Sequence, residues 1–324
     1  MRRVASLVLL TLGVFAVVLG LLLRFYVHSA LGVAPLDPAT TTVATGTGVT
    51  VFYPGDLKQR TDATVTATRQ VRGTLAAPEV KIGGNVALWH VGLVIEDEDG
   101  NLVNATEERV CVDRRTAMSV AKCSEQSINQ DSNVQHTGLA YKFPFNTKKQ
   151  DYPFFDVMLR GSTPPMHFDG EDVVNGLPVY RFVQTIPATK IAEQQVPGNL
   201  VHGDATAVVT AGQYYQNVRT VWVEPYSGII VKGQEEVRQA LRGPDGREGE
   251  VLLAGTLAFT QDTVRDQVKD ATKARSQLRL LYDTGPTVMV PVGVVLIVAG
   301  ALLLVIRRRP QSGNRYGGHR AAGT

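Results

Sequence analysis

The chain has 324 residues, a formal net charge of +3, 44% hydrophobic and 19% charged residues, and two cysteines. This average excludes a disordered chain, which would be poorer in apolar residues, and it excludes a disulfide-dense mini-protein or a collagen-like repeat. It also excludes a polytopic transporter, and it conceals how unevenly charge and apolar residues are spread.

Residues 1–3 form a short basic end. Val4–Leu23 carries no charge, and at 1.5 Å per residue it spans the roughly 30 Å hydrocarbon core, so 4–27 reads as a transmembrane helix. It is too long for a signal-peptide core of roughly 7–15 residues, and the nearby Gly32-Val33-Ala34 precedes Pro35, a poor cleavage context. An uncleaved anchor is therefore expected.

Residues 28–259 read as a β-rich outer domain. Runs rich in β-branched and aromatic residues occupy Val49–Tyr53, Ala63–Val71, Val86–Ile95, Leu102–Cys111, Val179–Thr185, Arg219–Val223 and Val251–Phe259. Asp99-Gly100, Asn175-Gly176, Ser227-Gly228 and Asp245-Gly246 supply turns between them. No helices alternate with these strands, so the expected class is α+β with a mainly antiparallel sheet. The stretches 124–175 and 187–215 read as irregular. A 128-residue shift aligns Val94–Val103 with Trp222–Val231, and Gly48–Phe52 with Gly176–Tyr180. That suggests two similar β units at 46–115 and 174–243.

Within 260–286, Val264, Val268, Ala271, Leu278 and Leu281 recur at helical spacing among charges. This predicts an amphipathic juxtamembrane helix with Asp262 as N-cap and Gly285-Pro286 as its stop. Val288–Ile306 is again uncharged, giving a second transmembrane helix at 287–306 and a basic tail at 307–324. Arg2 and Arg3 at one end and Arg307, Arg308 and Arg309 at the other set the topology by the positive-inside rule. Both termini are expected in the cytoplasm, with the main domain outside the plasma membrane. The terminal segments hold Arg2, Arg3, Arg307, Arg308, Arg309, Arg315 and Arg320 and no acid, so the remainder sums to −4. The basic average thus reflects orientation and gives no reason to expect a nucleic-acid partner.

Cys111 and Cys123 fall in the outer domain, where a disulfide is the default. No His lies at a spacing that would complete a metal site, and no metal or cofactor is expected. Nucleophile elbow, P-loop, zincin and dinucleotide-binding patterns are absent, so a non-enzyme is expected. Glu96–Asn101 resembles part of a calcium loop, but Glu107 follows Gly100 by one position too many, and a solvated hairpin turn is the preferred reading. Asn104-Ala105-Thr106 is a formal glycosylation sequon. The densest aromatic stretch holds Tyr141, Phe143 and Phe145, then Tyr152, Phe154 and Phe155, interleaved with prolines. It reads as a rigid segment packed on the sheet or as the wall of an apolar ligand groove.

Val112–Thr116, Tyr141–Phe145, Gly176–Phe182 and Val221–Pro225 carry a resemblance to an actinobacterial envelope family of unknown function that bears the name porin PorA. The resemblance covers nearly the whole chain. It implies a role in the cell envelope, with some members linked to maturation of mannose-based lipoglycans, and it supplies no catalytic residues. A transmembrane barrel needs many strands alternating apolar-out and polar-in, whereas here two helices anchor the chain. Two terminal anchors around a β-rich domain also resemble class B scavenger receptors, at the level of architecture alone. The function expected is binding or handing on a lipid or lipoglycan component at the bilayer. The alternatives are a scaffold for envelope biosynthesis enzymes and a pore, as the family name suggests.

Overall fold

The computed structural model describes residues 2–27, 32–78, 80, 84–161 and 163–305. In chain order the elements begin with helix α1 (Arg2–Leu22), which ends in a π-helical turn at Leu23–Val27. Strands follow: β1 (Ala39–Tyr53), β2 (Lys58–Gly73), β3 (Val86–Asp97), β4 (Leu102–Asp113), β5 (Ser127–Ile128) and β6 (His167–Val174). Then come β7 (Leu177–Pro197), β8 (Val208–Val223), β9 (Ile230–Arg242) and β10 (Glu248–Phe259). Helix α2 (Gln261–Arg279), a π-helical stretch (Leu280–Thr284) and helix α3 (Gly285–Val305) complete them. Contacts divide the chain into two compact units, the terminal helices and residues 29–279.

In the first unit α1 and α3 pack along their length. A Cβ on Gly13 would lie 2.7 Å from the Gly293 carbonyl oxygen, and one on Gly293 would lie 2.7 Å from that of Gly13. Seven residues along each helix, Gly300 sits against Leu10 and Ser6, and the Ser6 hydroxyl donates to the Gly300 carbonyl at 2.6 Å. Ser6–Gly300 and Gly13–Gly293 run in opposite directions along the chain, so the pair is antiparallel. Lipid tails are as apolar as Leu, so small residues that let backbones approach drive such pairing. Most of the apolar side chains on both helices are exposed, as lipid-facing side chains must be. Both helices are long and apolar enough to cross a membrane. Arg307, Arg308 and Arg309 lie outside the described residues.

The second unit is built on one ten-stranded antiparallel sheet ordered β5-β4-β3-β2-β1-β10-β9-β8-β7-β6. Each predicted Asx-Gly or Ser-Gly turn is a hairpin turn with the glycine at φ between +71° and +81°. At Gly228 the constraint is double: a Cβ there would also stand 2.1 Å from the Phe143 carbonyl oxygen. Strands are missed where alternation fails. β7 runs on through Pro187 to Pro197 and β8 starts at Val208, because the Thr189–Gln195 stretch is solvated on both faces and shows no apolar period. β6 and β9 are also missed, since their sequences are largely charged or polar.

Between β4 and β6 runs a long strap, residues 114–166, which carries the short edge strand β5 and leads to the opposite edge of the sheet. Its Leu139 amide donates to Pro153 and its Phe155 amide to Leu139, while Phe143, Asn146 and Thr147 amides donate to Gly228, Tyr226 and Pro225. Cys111 and Cys123 are bonded, with Cα atoms 6.1 Å apart, closing the start of the strap onto β4. Such a loop adds about 3 kcal/mol of stability.

Two expectations about α2 change. Its N-cap is Thr260, whose Oγ1 accepts from the Thr263 amide at 3.2 Å, while Asp262 pairs with Arg265 at 2.7 Å. Gly285-Pro286 does not stop the helix: these residues open α3 after the π-helical stretch, since Pro lacks only a donor that a first turn leaves unpaired. Val264 and Ala271 bury against Val179, Trp222 and Val231. Of the two repeat matches, the first aligns the β3–β4 turn with the β8–β9 turn. The second aligns the end of β1 with the start of β7.

The helix pair gives a direct test. Gly13→Leu is expected to push α1 from α3 and cost roughly 1–3 kcal/mol, the range for overpacking. The check is the unfolding midpoint of the full-length protein in an SDS titration. Val18→Leu, at an exposed position, should leave it unchanged.

Candidate ligand cavity

Inward-facing positions on the strands are mostly apolar. On β2 they are Ala63, Val65, Ala67, Arg69 and Val71, with Thr64, Thr66, Thr68 and Gln70 on the other side. The core at one end packs Val49, Val51, Ala63, Val65, Ile95, Leu253 and Leu257. Next to it lies a cavity of roughly 480 Å³, within the range of about 300–1,000 Å³ usual for small-molecule sites. Its walls include Thr40 and Ala44 of β1, Val71 of β2, Leu93 of β3, Asn104 of β4, Val221 of β8, Val237 of β9 and Leu257 of β10. In a flat sheet β4 and β8 would stand six strands apart, about 29 Å at 4.8 Å per strand. One cavity touching both means that the sheet curls around it. The strap closes the gap with Ala140, Tyr141, Lys142, Phe145 and Phe154–Met158, and α2 adds Gln267 and Ala274.

The six aromatic candidates divide. Tyr141, Phe145, Phe154 and Phe155 line the cavity. Phe143 and Tyr152 instead pin the strap to the sheet: Phe143 is fully buried, with ring centroids 5.3 Å from Tyr152 and 4.7 Å from Phe182. Asn104 of the formal sequon is half-buried and faces the cavity. The Glu96–Asn101 segment is the β3–β4 turn. Asp97 there accepts from the Asp99 and Asn101 amides and from the Tyr53 hydroxyl, while Arg60 pairs with Glu98 and Asp99. Among the described residues no group of three or more His, Cys, Asp or Glu converges on a metal position.

The polar part of the cavity wall centres on Arg219 of β8. Its Nη2 donates to Asp156 Oδ2 at 2.9 Å, its Nε to Glu235 Oε1 at 3.0 Å, and its Nη1 to Gln184 Oε1 at 2.9 Å. Tyr215 donates to Asp156 at 3.0 Å, and Asn217 donates to Glu235 at 2.9 Å. Gln184 in turn donates to the Phe154 and Pro164 carbonyls, fastening the strap to β7. Burial raises the Glu235 carboxyl, but the charges of Arg219 and Arg69 and the hydrogen bonds from Arg219 and Asn217 outweigh it, and its pKa falls from 4.5 to about 2. Burial, with the Asp156 charge, holds the Tyr215 hydroxyl well above its ordinary value.

Two further cations face the cavity. Arg69 of β2 lies 5.6 Å over the Tyr141 ring, and among the described residues no carboxylate forms an ion pair with it. Lys142 Nζ donates to the Phe143 carbonyl at 2.9 Å and to that of Ser227, and sits 3.9 Å over the Phe145 ring. Burial pulls its ammonium down to about 7, against the charge of Glu224. None of Arg69, Asp156, Tyr215, Arg219 or Glu235 stands in a motif, whereas Lys142 lies in the Tyr141–Phe145 segment that carries the family resemblance. Arg69 is a polar residue at an inward position of the otherwise alternating β2, a signal that could have found it.

The network makes acid stability predictable. Glu235 is stabilised as the carboxylate, so its contribution is present above pH 4.5 and is lost as pH falls through about 2. Glu235→Gln is expected to remove about 2 kcal/mol of stability at pH 7 and to flatten the loss between these two values. Denaturant unfolding across that pH range measures it.

A family model described as porin PorA matches residues 5–302. A protein of Corynebacterium amycolatum named porin PorA is 28% identical over 269 residues, 66% of this chain and 69% of that one. A protein of the same name from Corynebacterium resistens is 24% identical over 288 residues, 66% of this chain and 70% of that one. A crystal structure of an exported protein with a YmcC-like fold from Bacteroides fragilis aligns at 10% identity, covering 69% of this chain and 95% of that one. Its TM-score of 0.21 is too low to assign a shared fold. By the match over nearly its whole length, the chain belongs to the porin PorA family.

Proposed function

We propose that residues 29–279 are an extracytoplasmic lipid-binding domain, held at the plasma membrane by α1 and α3. The observation that carries this reading is the apolar cavity inside the curled sheet. Its size and lining suit the hydrocarbon part of an envelope lipid or lipoglycan precursor. Arg69 and Lys142, which form no ion pair with a carboxylate among the described residues, favour an acidic or oxygen-rich head group over a cationic one. Arg219 is less suited to that role, since its donors are already taken by Asp156, Glu235 and Gln184. The positive-inside pattern and the antiparallel helix pair together support a topology with both termini in the cytoplasm.

The family name favours a second reading, a pore. The strands turn apolar residues inward and polar ones outward, the reverse of a transmembrane barrel. A pore would therefore be built from α1–α3 pairs of several copies, and single-channel steps in planar bilayers of the purified protein would favour it.

The lipid reading is tested by lipid extraction and mass spectrometry of full-length protein. Wild type should retain lipid at near one equivalent. Ala274→Trp, which fills the cavity from α2, should lower the affinity about tenfold, or 1.4 kcal/mol. Protein that carries no lipid above the detergent background, or occupancy unmoved by Ala274→Trp, contradicts it.

A further inference from the structure

The strap is fastened firmly on both sides of one short piece. Leu139 is held through its amide and its carbonyl, and Phe143 by its amide and a fully buried ring. Between them the Lys142 amide donates to the Ala140 carbonyl at 2.8 Å, closing a γ-turn centred on Tyr141. Tyr141 has φ +61°. A γ-turn with positive φ is the rare, strained kind, and a bulky side chain holds such a conformation only where its surroundings impose it.

The constraint can be named. The Tyr141 hydroxyl donates to Glu108 Oε2 of β4 at 2.6 Å. Glu108 is buried, and its other oxygen faces His136 Nε2, also buried, at 3.3 Å. Neither of those two atoms completes a hydrogen bond. The Gln126 amide donates to Ala121, so its Oε1 is the atom facing His136 Nδ1, and that nitrogen carries a proton. In the neutral ring Nε2 is then an acceptor like the carboxylate oxygen it faces, so among the described residues the Tyr141 hydroxyl is the hydrogen-bond donor in use on Glu108.

We propose that the Ala140–Lys142 turn is the gate of the cavity, held shut by the Tyr141–Glu108 hydrogen bond. Release lets Tyr141 relax to negative φ, and its ring and the neighbouring Lys142 leave the wall they now form. This rests on the lipid-binding reading above and adds to it where and how the ligand passes.

The test uses full-length protein in nanodiscs, with two readouts. The first is hydrogen exchange over residues 140–143, which needs no ligand. The second is the rate of uptake of pyrene-labelled phosphatidylglycerol from vesicles of phosphatidylglycerol and phosphatidylcholine. Tyr141→Phe keeps the ring and the strained turn but removes the latch. It should raise exchange in this segment about tenfold and speed uptake, with exchange in β8 unchanged. Glu108→Gln keeps an acceptor for the hydroxyl and should stay near wild type on both readouts. Unchanged exchange in Tyr141→Phe overturns the latch, whatever the lipid does. Raised exchange with an unchanged uptake rate overturns the gate while leaving lipid binding intact. If wild type takes up no probe and retains no extracted lipid, the lipid reading fails and the gate falls with it.

Discussion

Arg219 is a guanidinium on the inward face of a curled sheet, with only about an eighth of its side chain exposed. A charge there costs several kcal/mol unless it is paired and hydrogen-bonded, so its surroundings must supply acceptors. They do so from three places: Asp156 from the strap, Glu235 from β9 and Gln184 from β7, with Tyr215 of β8 donating to Asp156 in turn. Each acceptor ties a different part of residues 29–279 to the same point. The strap is thereby drawn across the gap between β5 and β6, and the curl of the sheet is held. The space left beside the network, where mostly apolar side chains turn inward, is the cavity.

The same logic of satisfied and unsatisfied polar groups separates the cations at the wall. Arg219 is committed to the protein. Arg69 and Lys142 form no ion pair with a carboxylate among the described residues, which is why the proposed ligand is an acidic or oxygen-rich one. The membrane unit follows another rule. With no water to drive apolar faces together, α1 and α3 associate by close backbone approach at Gly13, Gly293 and Gly300.

Much of the framework was legible because its signals are local. The uncharged spans, the flanking arginines, the Asx-Gly turns and the apolar alternation of β2 and β3 each follow from a few consecutive residues. The second half of β7 was not legible, because solvation on both faces leaves no period to read, and β9 looked too charged to be a strand. The aromatic-proline segment pointed to the strap and to four wall residues, but the same composition serves Phe143 and Tyr152, which are core. Nothing in the sequence separates these roles, because they depend on which carbonyls of Pro225, Tyr226 and Gly228 the strap meets. Arg69, Arg219 and Glu235 became visible as a site only once the curl brought β2, β8 and β9 to one space.

The chain has two tryptophans, and they sit on opposite faces of the sheet. Trp89 lines the cavity, while Trp222 packs under α2 with Lys232 4.1 Å over its ring. Fluorescence quenching by a phospholipid brominated along its acyl chains, in Trp222→Phe and Trp89→Phe versions of the full-length protein, therefore tests the central claim. The account predicts strong quenching of Trp89 and little of Trp222. Equal quenching of both, or none of Trp89, would contradict an acyl chain inside the curled sheet.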